Sequence, residues 1–252
     1  MRQSPALPQW GLYAKVERMI PLKSAASQVR LVVFDCDGTL VDSQQHILAA
    51  MTLAYRESGL GAPDPAAVRA LIGLQLEVMV ATLLPEREAV EHRALAERYR
   101  QAFFTLRREP GYREPLFPGA EAVLDELQAE GFLLGIATGK SRRGLDAVLG
   151  AHGLSSRFIT LQTADRARGK PDPDMLERAM AETGAAPEEA MLVGDTTFDM
   201  EMARNAGVAS VGVGWGYHPA EALTNAGAAA VIERFDALCP LAWQFTGGRA
   251  CA

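Results

Sequence analysis

A four-residue apolar run that ends in two aspartates constrains the fold of this chain more than any other feature. Leu31–Phe34 is entirely apolar, and Asp35, Asp37 and Gly38 follow almost at once. A short run without alternation is typical of a strand that is buried on both faces of a parallel sheet. Ligands of open α/β sheets bind at the carboxyl ends of such strands. The run therefore predicts a buried strand with two carboxylates at its ligand-binding end, whereas an isolated Asp-x-Asp-Gly sequence would favour a simple turn.

Three later segments again place residues suited to phosphate or metal binding after an apolar strand. They are Gly135–Lys140, Gly169–Pro173 and Met191–Asp199. Together with the first segment they resemble the ordered motifs of the haloacid dehalogenase superfamily of phosphohydrolases, and the resemblance extends over residues 31–235. The spacing after the second aspartate and the Gly-Lys-Pro-Asp-Pro sequence are similar to the branch that contains phosphoglycolate phosphatases and β-phosphoglucomutases.

The predicted elements divide the chain into a helical insert and an α/β core. Between Asp42 and Pro118 the patterns predict helices only, and from Pro118 onward helices alternate with strands. Alternating strands and helices predict a parallel sheet with helices on both faces. The predicted strands are at residues 31–34, 132–138, 157–161, 190–193, 208–213 and 229–232. The predicted helices are at residues 44–58, 65–72, 76–84, 86–108, 120–130 and 198–205, with two more that begin at Ser141 and Asp174.

The resemblance implies a Rossmann-like core that is interrupted after its first strand by a cap of four helices. We expect residues 31–42 and 115–240 to form the catalytic core and residues 43–114 to form the cap. Residues 1–30 are assigned to an N-terminal extension of unknown role, and residues 241–252 to a C-terminal tail. The two linkers beside the cap are the expected hinges for its opening and closing.

The composition favours a small-molecule partner. A formal charge of −6 and the lack of a dense Lys/Arg stripe give no pattern for nucleic-acid binding. No window approaches the roughly 18 apolar residues of a membrane helix, so no membrane partner is expected. The three cysteines, Cys36, Cys239 and Cys251, have no metal-ligand spacing and indicate a reducing compartment. We therefore expect a cytoplasmic protein.

The resemblance assigns catalytic roles to the two aspartates of the first segment. Asp35 is the expected nucleophile, which forms an aspartyl-phosphate. Asp37 is expected to protonate the leaving oxygen and then to take a proton from the attacking water. Phosphate monoesters are dianions, so a carboxylate nucleophile meets a repulsion of about 4 kcal/mol per charge pair at about 4 Å and an effective dielectric near 20. Positive charge must offset that repulsion, and a divalent metal ion and a lysine can supply it.

Mg²⁺ is the expected cofactor. By the resemblance, Asp35, Asp195 and the backbone carbonyl of Asp37 form a metal site made only of oxygen atoms, and such hard ligands suit Mg²⁺. Asp199 is expected to support the metal directly or through water. An acidic side chain at that position would also suit the first turn of a helix.

The phosphate group is expected to contact three further residues. Thr138 matches the phosphate-binding hydroxyl of the family, Gly139 precedes a helix start that offers N–H groups to an anion, and Lys170 matches the lysine that pairs with nucleophile and phosphate. The basic residues within 140–143 are expected to form a solvated helix start.

Two features of the predicted cap remain less specific. His46, on the first cap helix, is a candidate contact for the non-phosphate part of the substrate, although a surface histidine fits the pattern as well. The last cap helix carries an apolar stripe that is expected to pack against the other cap helices. The stripe consists of Leu95, Tyr99, Phe103 and Leu106.

The motif set predicts a Mg²⁺-dependent phosphatase that acts on a small phosphorylated metabolite through an aspartyl-phosphate intermediate. The resemblance makes 2-phosphoglycolate the first candidate substrate. A β-phosphoglucomutase-like transfer within a sugar phosphate is the enzymatic alternative, and a non-catalytic metabolite-binding relative is the alternative of a different class. Haloacid dehalogenation itself is disfavoured because those enzymes lack the second aspartate that this chain has at Asp37.

Overall fold

The computed structural model describes residues 29–247, which contain one six-stranded parallel sheet. The strands are β1 (Leu31–Phe34), β2 (Leu133–Thr138), β3 (Thr160–Thr163), β4 (Ala190–Gly194), β5 (Ala209–Val213) and β6 (Ala230–Ile232). Their order in the sheet is β3-β2-β1-β4-β5-β6. Leu31 of the central strand pairs with Leu133 on one side and with Ala190 on the other.

Ten α-helices accompany the sheet in the described part of the chain. They are α1 (Gln44–Glu57), α2 (Pro65–Arg69), α3 (Leu76–Leu83), α4 (Ala89–Leu106), α5 (Ala120–Ala129), α6 (Arg142–Ala151), α7 (Asp174–Thr183), α8 (Thr197–Ala206), α9 (Ala220–Ala226) and α10 (Leu238–Phe245).

The sheet separates two apolar clusters, one on each face. Because side chains alternate along a strand, Val32 and Phe34 of β1 belong to one cluster, and Leu31 and Val33 belong to the other. All four are fully buried. This double burial explains the unbroken apolar run in the sequence and confirms the predicted Rossmann-like α/β fold.

Helices α1 to α4 lie between β1 and α5 in the chain and contribute to a third apolar cluster. Ile47 and Met51 of α1, Met79 of α3 and Leu95 of α4 are buried in it. The Asp64 side chain caps α2 by accepting hydrogen bonds from two backbone N–H groups, and a capping box at Glu88 begins α4. These helices therefore have their own apolar packing and their own start signals.

The third strand differs from its prediction. It runs over Thr160–Thr163 rather than 157–161, and Ile159 is 62% exposed. Three of the four residues in the strand are polar, but their hydroxyl and amide groups find partners: Gln162 donates to Thr160, which donates to Glu182. Because the strand is mostly polar, the pattern of apolar residues alone placed it too early in the sequence.

The C-terminal boundary of the core is also corrected. Residues 241–245 belong to α10, whose Ala242 is fully buried and whose Trp243 ring lies 5.0 Å from that of Phe132. Arg30 also lies over the Trp243 ring, at 4.5 Å. The core therefore includes α10 up to Phe245. Residues 1–28 and 248–252 lie outside the described residues.

Cys36 and Cys239 are buried free thiols, and Cys251 lies outside the described residues. Among the described helices, none combines the length and apolar character needed to span a lipid bilayer. The cytoplasmic location stays a prediction.

Candidate active site

The carboxyl end of the sheet brings together residues from distant parts of the chain. Asp35 directly follows β1, Thr138 ends β2 and Asp195 directly follows β4. β1 lies between β2 and β4 in the sheet. β2 and β3 lie on one side of β1, and β4, β5 and β6 lie on the other, so the strand order changes direction at this point. Ligands of open α/β sheets bind at such switch points.

Three carboxylates form a buried acidic cluster at this point. Asp35, Asp195 and Asp199 each contribute an oxygen, and these oxygens lie within 4.8 Å of one another. Asp195 is held by the Thr39 hydroxyl at 2.8 Å and by the Tyr217 N–H at 2.9 Å.

Gly38 allows the loop after β1 to approach this cluster. Its φ of +84° suits glycine, and a Cβ atom there would overlap the Asp195 carboxylate. The glycine of the first segment is therefore required by the loop conformation and by the close approach to Asp195.

Asp199 is fixed by the start of α8. Its Oδ2 accepts hydrogen bonds from the Thr196 N–H at 3.1 Å and from the Thr196 hydroxyl at 2.6 Å. The Thr196 hydroxyl in turn accepts from the Asp199 N–H, which completes a capping box. Helix capping thus leaves Oδ1 of Asp199 pointing into the acidic cluster.

Lys170 is the cation of the cluster. Its Nζ lies 3.0 Å from Asp35 Oδ1 and 2.6 Å from Asp199 Oδ1, and the three side chains are buried. One ammonium faces three carboxylates, so the cluster keeps an excess of negative charge.

The pKa of Asp35 reflects mainly the burial of its carboxylate and, to a lesser degree, the neighbouring carboxylates. Burial raises its pKa to about 7, against the lowering effect of Lys170 and with smaller raising effects from Asp199 and Asp37. Burial also raises the pKa of Asp195 well above its usual value, with further contributions from Asp35 and Asp199. Asp35 Oδ2 is buried and has no hydrogen-bond partner within the described residues.

These observations fit a divalent cation. The donor set consists of oxygens only, it carries excess negative charge, and it contains an unpartnered buried oxygen, which are properties of a site for a hard cation. The acidic cluster can hold a metal ion. The side chain of Asp37 is not part of it.

Asp37 lies beside the cluster in a separate charged network. Its Oδ1 is 2.7 Å from Lys140 Nζ and accepts a hydrogen bond from the Ser43 hydroxyl. Lys140 Nζ is also 3.4 Å from Glu114 Oε1, and Glu114 Oε2 is 3.1 Å from Arg107. Both side-chain contacts of Asp37 among the described residues are at Oδ1, and neither of them involves Oδ2.

The prediction that Lys140 belongs to a solvated helix start is wrong. Its side chain is only 9% exposed because it lies between two buried carboxylates. Sequence analysis also missed Glu114, which carries no motif and lies in the linker between α4 and α5. Arg142 agrees better with its prediction, since it forms a surface ion pair with Asp146.

Thr138 and Gly139 lie at the rim of the site. The Thr138 side chain is buried, and its Oγ1 accepts from the Lys140 N–H at 3.2 Å, so its own hydroxyl hydrogen remains available. A Cβ on Gly139 would lie 2.8 Å from the carbonyl oxygens of Gly73 and Leu74. Glycine is therefore needed where the 73–74 loop approaches β2.

A cavity of about 640 Å³ extends from the site toward the helical insert. Asp35, Asp37 and Thr138 line it on the core side, and Tyr99 and Phe103 line it on the α4 side. The predicted packing stripe on α4 is thus only partly core, because two of its residues also face this cavity.

His46 does not line this cavity. Its ring packs against Tyr112 with 4.1 Å between centroids. Its role as a substrate contact stays a prediction without a cavity contact to support it.

Comparison with known proteins gives one family match. Residues 32–213 match the family described as haloacid dehalogenase-like hydrolase. This stretch covers most of the chain, including α1 to α4 and the residues Asp35, Thr138, Lys170, Asp195 and Asp199.

Two similar proteins carry phosphatase names. A Dickeya dadantii protein named "Probable phosphatase IndB" is 38% identical over 207 residues, which cover 82% of this chain and 90% of that protein. A Vibrio cholerae protein named phosphoglycolate phosphatase is 31% identical over 203 residues, which cover 79% and 90% of the two chains.

A similar fold has been solved for a Pseudomonas syringae protein described as a hydrolase. Its TM-score is 0.73 at 29% sequence identity, with 86% of this chain and 96% of that chain covered. The similarity therefore includes the core and the helical insert.

Proposed function

This chain belongs to the haloacid dehalogenase-like hydrolase family and is a phosphatase, and on that premise we propose that it hydrolyses a small phosphorylated metabolite through an aspartyl-phosphate on Asp35, with Mg²⁺ as cofactor. The observation that carries the proposal is the unpartnered Oδ2 of Asp35, which lies in a buried acidic cluster beside Lys170.

In the first step, a carboxylate oxygen of Asp35 forms a bond to phosphorus while the bond from phosphorus to the leaving oxygen breaks. Asp37 gives its proton to that leaving oxygen through Oδ2, because Oδ1 is held by Lys140 and Ser43. The alcohol then leaves, and the phosphoryl group remains on Asp35.

In the second step, the Asp37 carboxylate takes a proton from a water molecule. The water oxygen bonds to phosphorus, the bond between Asp35 and phosphorus breaks, and inorganic phosphate is released. Asp37 is protonated again, and Asp35 is again a carboxylate.

Three groups stabilise negative charge at the nucleophile and the phosphoryl group in this proposal. Lys170 contacts both Asp35 and Asp199 and supplies positive charge next to the nucleophile. The Thr138 hydroxyl donates to a phosphoryl oxygen. Asp35, Asp195, Asp199 and the Asp37 carbonyl would hold Mg²⁺, which supplies Lewis-acid stabilisation of the phosphoryl charge when bound.

Residues 43–114 serve as a cap in this proposal. Their helices have a separate apolar cluster, and α3 and α4 line the cavity that begins at Asp35. The cap therefore contacts the alcohol part of the substrate, while the core contacts the phosphate.

The experiment that tests the function is a screen of phosphorylated metabolites with purified protein, read as kcat/KM with Mg²⁺ and with excess chelator. 2-Phosphoglycolate is the first compound, since a similar protein carries that name. Release of inorganic phosphate that stops with chelator supports the proposal. Conversion of a sugar phosphate to its isomer without phosphate release would favour the mutase alternative, and binding without turnover would favour a sensor.

A further inference from the structure

The loop that carries Lys170 connects β3 to α7 and contacts the cap. The conformation of this loop decides where the ammonium group lies relative to Asp35 and Asp199. Near the start of the loop, the carbonyl oxygens of Ala164 and Ala167 accept no hydrogen bond from a backbone N–H group in the described part of the chain. Partly buried carbonyls of this kind need a donor from elsewhere.

Gln75 of the cap supplies the donor for both carbonyls. Its Nε2 lies 2.7 Å from the carbonyl oxygen of Ala164 and 3.1 Å from that of Ala167. A primary amide has two N–H donors on one nitrogen, so a single glutamine can serve two acceptors. The loop is therefore fastened to the cap at two points by one side chain.

Neither its own helix nor the cavity explains this glutamine. Gln75 is the N-cap residue of α3, but its side chain makes no capping hydrogen bond, and Ser, Thr, Asp and Asn are the usual residues at that position. Gly73, Leu74 and Leu76 line the cavity, whereas Gln75 is not among the lining residues. The contact with the Lys170 loop is therefore the role that the structure shows for its side chain.

Gly169, directly before Lys170, makes room for this contact. A Cβ atom at position 169 would overlap the Gln75 side chain and would lie 2.6 Å from its Cδ. Gly169 is not one of the described glycines with a positive φ, so its backbone conformation does not itself require glycine. The lack of a side chain at this position lets the cap approach the residue next to Lys170.

We propose that Gln75 is a positioning residue: it ties the loop of Lys170 to the cap and so holds the ammonium group against Asp35. The inference rests on the proposed phosphatase function. Lys170 acts at the nucleophile and not at the alcohol part of the substrate. The contribution of Gln75 is therefore the same for every phosphate ester that the enzyme hydrolyses.

An isosteric substitution tests the two hydrogen bonds. Gln75→Glu keeps the shape of the side chain but turns acceptor oxygens toward two carbonyl oxygens. We expect kcat/KM with Mg²⁺ to fall at least about tenfold, as the loss of two hydrogen bonds predicts. The loss should be similar for p-nitrophenyl phosphate and for the best alkyl phosphate of the metabolite screen. A loss confined to one of the two substrates would place Gln75 at the alcohol and overturn the inference.

Gln101→Glu is the matched control for this substitution. Gln101 is exposed on α4, and its Nε2 bonds only to Glu97 of the same helix among the described residues. The control is expected to keep the kcat/KM of the wild type on both substrates. An equal loss in Gln101→Glu and Gln75→Glu would overturn the specific role of Gln75.

A double-mutant cycle tests the contact between the cap and the residue next to Lys170. Gly169→Ala displaces the Gln75 side chain and leaves Lys170 itself unchanged. Gly169→Ala, Gln75→Ala and the double variant are expected to lose kcat/KM by about the same factor, because each removes the same contact. Losses that multiply in the double variant would overturn the inference.

Hydrogen exchange measures the loop without any turnover. In Gln75→Glu the backbone amides of residues 164–169 should exchange faster than in the wild type and in Gln101→Glu, while those of β1 and β4 stay protected and show that the fold is retained. Lowered activity with unchanged exchange in residues 164–169 would overturn the inference.

The outcomes separate this inference from the function on which it rests. Hydrolysis of phosphate esters that is equally fast in the wild type and in Gln75→Glu would overturn the inference and leave the phosphatase in place. Failure of the wild type to hydrolyse any phosphate ester would overturn both. Equal losses on the two substrates, together with faster exchange in residues 164–169, would support the inference.

Discussion

The ammonium group of Lys140 lies 2.7 Å from Oδ1 of Asp37. This contact joins the loop after β1 to the loop after β2, and Glu114 extends it to the linker that follows α4. Both side chains of the pair are about nine-tenths buried. The proposed general acid is therefore held by a buried cation that also contacts one of the two linkers of the cap.

Replacement of Lys140 by methionine is expected to destabilise the protein by about 3–5 kcal/mol, because Asp37 would remain buried without its cation. Urea unfolding measures the change. Arg142→Met is the control, since its ion pair with Asp146 is solvent-exposed, and a loss below about 1 kcal/mol is expected there. Similar small losses in the two variants would show that the Lys140 pair has no structural importance.

Asp37→Asn is expected to reduce kcat by about 10²–10⁴-fold for an alkyl phosphate, because an alkoxide needs a proton in order to leave. The loss in the first step should be smaller for p-nitrophenyl phosphate, whose leaving group is stable without a proton. Single-turnover rates on the two substrates measure the difference. Equal losses in that step would rule out Asp37 as the proton donor.

The metal-free protein should lose stability as the pH rises. The folded-state pKa of Asp35 is raised from 3.8 to about 7, so between these values the unfolded chain releases a proton that the folded protein retains. Stability is therefore fully present below about pH 4 and is lost progressively up to about pH 7. A bound cation favours the ionised carboxylates, so Mg²⁺ should raise Tm more at about pH 8 than at about pH 5.

Tm measured with Mg²⁺ and with chelator at both pH values tests this prediction, and Asp195→Asn serves as the variant with a weakened site. A Tm increase of the same size at both pH values, or one that persists in Asp195→Asn, would argue against metal binding by the acidic cluster.

Ca²⁺ is expected to inhibit the Mg²⁺-dependent reaction. Calcium prefers six to eight oxygens at longer distances than magnesium, so it can occupy the same carboxylates while it misplaces the phosphate relative to Asp35. Initial rates across a Ca²⁺ titration at fixed Mg²⁺ measure the effect. Equal rates with either ion would remove the geometric role assigned to the metal.

The location of the core of the site was predictable because its residues follow strands of a parallel sheet, and the carboxyl ends of such strands share one edge. Asp35, Thr138 and Asp195 each stand at the carboxyl end of a strand, and in this fold adjacent strand ends meet. Asp199 follows from the helix start after β4. Local sequence and fold class predict where these residues lie, whereas their roles were predicted from the resemblance to the haloacid dehalogenase superfamily.

The cavity wall was not predictable in the same way. Helical periodicity places Tyr99 and Phe103 on one face of α4, but it does not say whether another helix or a cavity covers that face. Lys140 has its partner Glu114 26 residues away, in a linker without any pattern. Such contacts depend on how the insert sits on the core, which no local spacing encodes.

The most direct test of the central claim is to trap the phosphoryl group on Asp35. Borohydride reduction during steady-state turnover, followed by peptide mass spectrometry, converts a phosphorylated aspartate to homoserine. The account predicts homoserine at position 35 only when substrate and Mg²⁺ are both present, and loss of turnover in Asp35→Asn to below about a hundredth of wild type. Steady turnover without modification at position 35, together with substantial activity of Asp35→Asn, would contradict it.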